Sequence, residues 1–142
     1  MKTTAKWISE NNYILNNSKN LNIAISDPVN QESNNEINCF DLVLMGFTGC
    51  ITAEFKKQIT RRHIIIQDLE TELRIINYSD KIHPSFSLQV ISKVKSAAKK
   101  EVLEECMKQA LSSSLIGILF KNSGIKIETQ IFLTSPVKYS KV

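Results

Sequence analysis

The stretch "NCFDLVLMGFTGCITAEFKKQ", residues 38–58, decides the fold because it has the length and composition of one long helix. Its first half is apolar on every side, which is typical of a helix that is surrounded by protein. Its second half separates apolar from charged residues, which predicts a face that reaches solvent. The sequence therefore predicts a central helix from Phe40 to about Thr60 that is buried over its first half.

Capping and glycine residues add detail to this helix. Asn38 is predicted to be its N-cap, and Asp41 lies where a carboxylate meets free backbone N–H groups and the positive end of the helix dipole. Gly46 and Gly49 each cost about 1 kcal/mol relative to alanine, so we expect another backbone to approach the helix there. So short a chain cannot easily cover a helix on all sides, which indicates a homodimer whose second copy supplies part of the wall.

The flanking segments have the patterns of strands and helices. Before the helix, a period of two predicts an antiparallel hairpin or meander, formed by Trp7, Tyr13, Leu15, Leu21, Ile23 and Ile25. The turn-rich segment 27–38 predicts a loop into the helix. After the helix we expect two half-exposed strands, two helices and a closing strand, at residues 64–76, 85–95, 97–113, 113–122 and 125–134. This order predicts a single α+β domain over residues 1–142.

Composition narrows the classes of function. With 142 residues and 42% hydrophobic content, the chain can form one core without a metal or a disulfide. Its net charge of +4 comes from basic residues spread along the sequence, so we expect no nucleic-acid partner. No apolar run approaches the ~18 residues of a membrane span, and the first residues lack a secretory signal pattern. The sequence predicts a cytoplasmic protein without a membrane partner.

Few residues have the spacing of a known chemical site. His63 and His83 lack companions at metal-ligand spacing, so no metal site is predicted and both are expected in turns or at strand ends. No phosphate-binding loop or serine-hydrolase elbow is present, and residues 112–114, three serines, are expected to cap a helix. The chain has three cysteines, an odd number, and none of them has the C-x-x-C spacing of zinc sites or thioredoxin-like proteins. This predicts free thiols in a reducing compartment.

Cys50 lies in the middle of the central helix and has two interpretations. It is a nucleophile if a nearby cation or helix terminus activates the thiol and solvent reaches it. It is otherwise a small residue packed in a core, as buried cysteines commonly are. The residues around it leave both interpretations open.

Two segments resemble the OsmC-like family. In "CFDLVLMGFTGC", residues 39–50, an acid, an apolar run, small residues and a cysteine keep the spacing of that family's central helix. The downstream segment "MKQALSSSLIGIL", residues 107–119, resembles the family segment that contains a second cysteine. The order of elements agrees over nearly the whole chain. The resemblance implies an OsmC-like α+β fold and an intertwined homodimer with active sites at the subunit interface.

The resemblance also implies candidate site residues. In hydroperoxide-reducing members a reactive cysteine attacks the peroxide, a second cysteine resolves the sulfenic acid as a disulfide, and a dithiol resets the pair. Cys50 corresponds to the reactive cysteine, Ser114 to the second cysteine, and Asp41 to the acid of the broader family. Phe40 stands where the peroxide-reducing branch has a glutamate, and no arginine precedes Arg61.

Two hypotheses of function follow. In the first, the protein reduces organic hydroperoxides in the oxidative stress response, with a peroxiredoxin-like activity that uses Cys50 alone, an external thiol and no cofactor. An internal disulfide is not expected, because Ser114 cannot form one and Cys106 lies eight residues before that position. In the second, the protein is not catalytic and binds a small hydrophobic molecule at the dimer interface. Phe40 and Leu115 are expected to line the apolar pocket in either case, together with Phe47.

Overall fold

The computed structural model describes residues 2–9, 12–26, 37–79 and 85–138. Within them the order of elements is three strands, a long helix, two strands, two helices and a strand. This order confirms the predicted α+β class. The elements are β1 (Thr4–Ser9), β2 (Asn12–Asn16), β3 (Asn22–Ser26), α1 (Cys39–Arg61), β4 (Ile66–Ser79), β5 (Ser85–Ser96), α2 (Lys100–Ser113), α3 (Leu115–Asn122) and β6 (Ile127–Thr134).

The chain divides into two compact units, Met1–Gly46 and Phe47–Val142, here called unit 1 and unit 2. The expectation of one domain over residues 1–142 stays a prediction. Most of the predicted loop into α1 lies outside the described residues, and so does His83. His63 lies in the turn after α1 with a φ of 56°, in agreement with its predicted place.

Unit 1 contains the predicted meander. Its strands pair antiparallel in the order β1-β2-β3, with Trp7 opposite Tyr13 and Tyr13 opposite Ile25. The turn between β2 and β3 uses two residues with left-handed backbone, Ser18 and Asn20, at φ values of 60° and 66°. Polar side chains accept backbone N–H groups in this turn, as expected for turns rich in asparagine.

The start of α1 confirms the predicted N-cap. The Asn38 side-chain oxygen accepts the N–H of Asp41 at 2.8 Å, and the Asp41 carboxylate accepts the N–H of Asn38 at 3.0 Å. This reciprocal pair is a capping box, which satisfies backbone N–H groups that have no partner within the helix. The helix consequently begins at Cys39.

Unit 2 has a core built from α1, the second sheet and α2. The sheet has the order β4-β5-β6, with β5 antiparallel to β4 and parallel to β6. The most deeply buried side chains come from all three parts: Phe47, Ile51, Phe55, Ile59, Leu88, Val90, Val94, Leu103, Cys106 and Met107. The helical spacing predicted for α2 is therefore confirmed. Because β5 is the central strand, it is more buried than a half-exposed strand, and Ile91 is only 4% exposed.

The described residues of the chain do not cover α1 on every side. Val43 is 48% exposed and Met45 is 60% exposed, so the first half of the helix keeps an open apolar surface. A Cβ added at Gly49 meets nothing within 4 Å, and the expected close backbone is absent there in the described residues. Gly117 has this role instead, because a Cβ there would lie 2.6 Å from the Leu111 carbonyl oxygen. The apolar pattern of α1 indicates that this surface is buried in the assembled protein, but it does not specify which chain buries it.

The capping box should contribute to stability. Replacing Asn38 by alanine removes the oxygen that accepts the Asp41 N–H, so we expect the free energy of unfolding to fall by about 1 kcal/mol in urea denaturation. Glu104→Ala on the exposed face of α2 serves as the control and should change it by less than about 0.5 kcal/mol. Equal effects of the two substitutions would contradict the capping role.

Candidate functional site

Cys50 lies on the exposed face of α1 in unit 2. Phe47 and Ile51, which lie about 60° and 100° from Cys50 around the helix, are completely buried, whereas Cys50 falls outside this buried stripe and its thiol is exposed. Across the described part of the chain, no hydrogen bond or ion pair reaches the Cys50 sulfur. Solvent access, one of the two conditions for a nucleophile, is therefore met within this chain, whereas no activating cation contacts the thiol.

The other two cysteines differ from each other in exposure. Cys39 is exposed in the first turn of α1, and Cys106 is buried in α2. Burial raises the pKa of the Cys106 thiol, an effect that Arg62 opposes and Glu105 reinforces. A thiol with a raised pKa stays protonated at neutral pH and is a poor nucleophile. All three cysteines are free, and Cys106 is unsuited to resolve a sulfenic acid.

Ser114 is a helix cap. It separates α2 from α3 and is 3% exposed, and its hydroxyl accepts the N–H of Gly117 at 3.2 Å. Its own N–H donates to the Ala110 carbonyl at 2.9 Å, which closes the end of α2. The predicted capping role of this serine is confirmed. Its assignment to the second cysteine position of the site stays a prediction, and its hydroxyl is already engaged in the cap.

Asp41 and the aromatic residues also have defined surroundings. The Asp41 carboxylate belongs to unit 1, where it accepts the N–H of Asn38. Phe47 is a core residue that packs edge-to-face on Phe120 with ring centroids 5.1 Å apart, so it does not line an open pocket. Leu115, at 71% exposure, and Phe40, at 36%, keep apolar surface open in the chain.

Sequence reasoning missed a groove beside α1 in unit 2. The groove has a volume of about 660 Å³ and lies between the helix and the start of β4. It is lined by Thr48, Gly49, Thr52, Ala53, Lys56, Ile66, Gln67, Asp68 and Leu69. The sequence indicates this groove by two small residues one helical turn apart, Gly49 and Ala53, which leave space beside the helix.

Unit 1 has an apolar hollow of its own. Its volume is about 410 Å³, and it is lined by Ile8, Asn12, Tyr13, Ile14, Ala24, Ile25 and Ile37. In the described ranges no three His, Cys, Asp or Glu side chains are grouped to hold a metal ion. A search of the same ranges finds no helix long and apolar enough to cross a membrane.

Comparison with known proteins identifies the fold. No protein-family model matches the sequence, and no curated protein matches it. Solved structures do match over almost the whole length. An OsmC-like protein from Mycoplasma pneumoniae has a TM-score of 0.75 at 10% identity, with 96% of each chain covered.

A second similar structure is an organic hydroperoxide resistance protein from Elizabethkingia anophelis, with a TM-score of 0.77 at 11% identity. The alignment of the two covers 93% of this chain and 94% of the Elizabethkingia protein. The chain has the OsmC-like fold. A hypothetical protein from Aquifex aeolicus has a TM-score of 0.77 at 12% identity and covers 96% of this chain and 97% of its own. The OsmC-like fold that the two sequence segments predict is therefore confirmed.

The three cysteines of this chain should differ in reactivity. Because Cys39 and Cys50 are exposed and Cys106 is buried, we expect a thiol reagent to label the first two in the native protein. Cys106 should react only after unfolding in denaturant, as mass spectrometry of labelled peptides would show. Labelling of Cys106 as fast as Cys50 in the native protein would contradict the burial of Cys106.

The same thiol should affect stability at alkaline pH. Burial raises the folded pKa of Cys106 above its unfolded value, so the unfolded state loses its proton first. The stabilisation is complete below the unfolded pKa and is lost as pH rises towards the folded pKa. Cys106→Ala should flatten the alkaline fall in the free energy of unfolding, whereas Cys39→Ala should leave it unchanged.

Proposed function

We propose that the protein is a thiol-dependent reductase of organic hydroperoxides that acts in the oxidative stress response through Cys50 alone. The exposed thiol of Cys50 in a chain with the OsmC-like fold carries the proposal. Similar structures include organic hydroperoxide resistance proteins from Elizabethkingia anophelis and Legionella pneumophila. The likeness of fold supports the class of substrate, and the exposure of the thiol supports the choice of residue.

The chemistry needs one protein thiol and an external reductant. The Cys50 thiolate attacks one peroxide oxygen, the O–O bond breaks, and the products are an alcohol and a cysteine sulfenic acid. An external thiol then displaces water to form a mixed disulfide, and a second thiol releases Cys50 together with the oxidised reductant. Ser114 has no sulfur and Cys106 is buried, so a resolving disulfide with either residue is not part of the cycle.

The proposal includes a cytoplasmic homodimer. Apolar side chains stay exposed on both units of the chain, including Trp7 at 64%, Met45 at 60% and Leu115 at 71%. A three-stranded sheet and a helix with open apolar surface are stabilised when another layer covers them. A second copy would cover such surfaces and give Cys50 an apolar surrounding suited to an alkyl hydroperoxide.

A second candidate function is the binding of a small hydrophobic molecule without catalysis. The apolar hollow in unit 1 favours it, because a volume of about 410 Å³ and an isoleucine-rich lining suit such a ligand. The absence of a cation, donor or acceptor at the Cys50 sulfur, over the described residues, also favours it.

Peroxide consumption tests the first function. We expect the reduced protein to consume cumene hydroperoxide faster than hydrogen peroxide with excess dithiothreitol, and Cys50→Ser to reduce the rate to that of buffer. Cys39→Ser is the matched control, because it removes the other exposed thiol and should leave the rate unchanged.

A wild-type rate equal to that of Cys50→Ser would reject catalysis at this residue. The second function would then be tested by the fluorescence of Trp7, the single tryptophan of the chain, during titration with fatty acids. Trp7 lies on the meander of unit 1 and therefore reports on the unit that contains the apolar hollow.

Substitution of Gly49 tests the homodimer. On an open helix face Gly49→Ala would stabilise the protein by up to about 1 kcal/mol, because alanine is the better helix former. Since we propose that a second copy covers this face, we expect the dimer dissociation constant to rise by roughly tenfold or more in sedimentation equilibrium, which corresponds to about 1.4 kcal/mol. Thr60→Ala near the end of α1 is the control. A monomeric protein at all concentrations would contradict the proposal.

A further inference from the structure

The end of α1 is strongly basic. Residues 50–63 contain Lys56, Lys57, Arg61 and Arg62 but only one acid, Glu54, which gives a net charge of +3 against +4 for the whole chain. All four basic residues are exposed. They are called the basic cluster below. They come as two adjacent pairs, so they form no long charge run, and they lie in the last turns of α1 and just after it.

Two members of the basic cluster share the face of α1 that contains Cys50. At 3.6 residues per turn, Lys57 and Arg61 lie within about 20° of Cys50 around the helix, at axial distances of about 10 Å and 16 Å. Side chains on a helix lean towards its N-terminus, which here means towards Cys50. The Lys57 ammonium does so, because it lies 3.4 Å from the Glu54 carboxylate one turn earlier.

The one acid of this region does not cancel the positive charge. Glu54 accepts a hydrogen bond from the Gln58 side chain at 2.8 Å and pairs with Lys57 at 3.4 Å. The hydrogen bond from Gln58, and then the nearby cations, lower the pKa of Glu54, so it stays ionised and paired. Lys56, Arg61 and Arg62 form no ion pair with any of the described residues. Their charges are therefore available to a ligand, and Lys57 also stays accessible beside Glu54, because its side chain is 55% exposed.

Arg61 also faces a polar groove that α2 completes. The groove has a volume of about 260 Å³ and is lined by Gln58, Arg61, Glu105, Lys108, Gln109, Ser112 and Ser113. It offers two cations and two hydroxyl groups against one carboxylate. Such a lining suits an anionic group such as a carboxylate. The groove lies at the Arg61 end of the face that starts at Cys50.

We propose that the basic cluster selects an anionic thiol of low molecular mass, bearing carboxylates, as the reductant of Cys50. This inference rests on the proposed function for its place in the cycle. The sulfenic acid of Cys50 reacts with the thiol RSH to give Cys50–S–S–R and water. A second RSH attacks this disulfide, which restores the Cys50 thiol and releases RSSR. The carboxylates of each RSH lie towards Lys57 and Arg61 while its sulfur reaches Cys50.

The first test measures thiol–disulfide exchange, which needs no peroxide. In the Cys39→Ser protein, we measure the ratio of two rates at Cys50, that with the dianionic dithiobis(nitrobenzoate) over that with cationic cystamine. We expect this ratio to exceed the same ratio for a free model thiol. The ratio for Cys50 should be roughly threefold to tenfold higher than that for the model thiol at low salt, and the difference should shrink as salt screens the basic cluster. Neutral dithiodipyridine should show no salt dependence.

Charge variants assign the effect to the cluster. Lys57→Gln with Arg61→Gln should remove most of the preference for the anionic reagent. The matched control, Lys93→Gln with Lys95→Gln, removes two charges from β5. Because side chains alternate along a strand and Ser92 and Val94 are buried, these lysines project from the face of the sheet that points away from the core. That control should keep the preference. Equal loss in both double variants would overturn the inference, because net charge alone would then explain the preference.

Turnover separates this inference from the proposed function. With cumene hydroperoxide, mercaptosuccinate should support faster turnover than cysteamine, and the Lys57 and Arg61 variant should lose the difference. Turnover with dithiothreitol but no preference in exchange would overturn the inference and leave the peroxidase standing. A preference in exchange without turnover by any thiol would support the charge selection at Cys50 and reject the peroxidase.

Discussion

The buried stripe of α1 is the contact on which the rest of unit 2 depends. Phe47, Ile51, Phe55 and Ile59 follow one another at intervals of four residues, and all are completely inaccessible to solvent. Burial of each such side chain contributes about 1.5–3 kcal/mol, so no rotation of the helix that exposes them is tolerated. This stripe determines the rotation of the helix, and the rotation turns Cys50 outward. The exposure of the candidate nucleophile is thus a consequence of core packing.

Local chemistry was the part of the structure that the sequence predicted well. The capping pair of Asn38 and Asp41 involves residues three positions apart, and Ser114 caps α3 through a neighbour three positions later. The helical periodicity of α2 correctly predicted its buried face, because that face is covered within this chain and needs no partner. These features depend on near neighbours, whose identity can be read directly from the sequence.

Features that depend on distant chain segments were predicted less well. The apolar first half of α1 predicted a surrounding wall supplied partly by a second copy, and Val43 and Met45 are exposed among the described residues, because a pattern does not specify the covering partner. The close backbone contact expected at Gly49 occurs at Gly117, where α3 folds back on the Leu111 carbonyl. For the candidate site, Cys50 was identified through the spacing of a motif, whereas its exposure, and the burial of Cys106, required the assembled core. The basic residues are dispersed along the sequence as a whole, but four of them lie together at the end of α1.

The parallel pairing of β5 with β6 has a consequence for the way this chain folds. Leu88 pairs with Ile127 and Lys95 with Thr134, so the ladder closes only across α2 and α3. An antiparallel neighbour such as β4 reaches β5 through a short connection and costs little loop entropy. Non-local pairing is slow because the entropy of closing a long segment is lost before its contacts form. From this pairing we expect the β4-β5 hairpin to form early and the docking of β6 to limit the folding rate of unit 2.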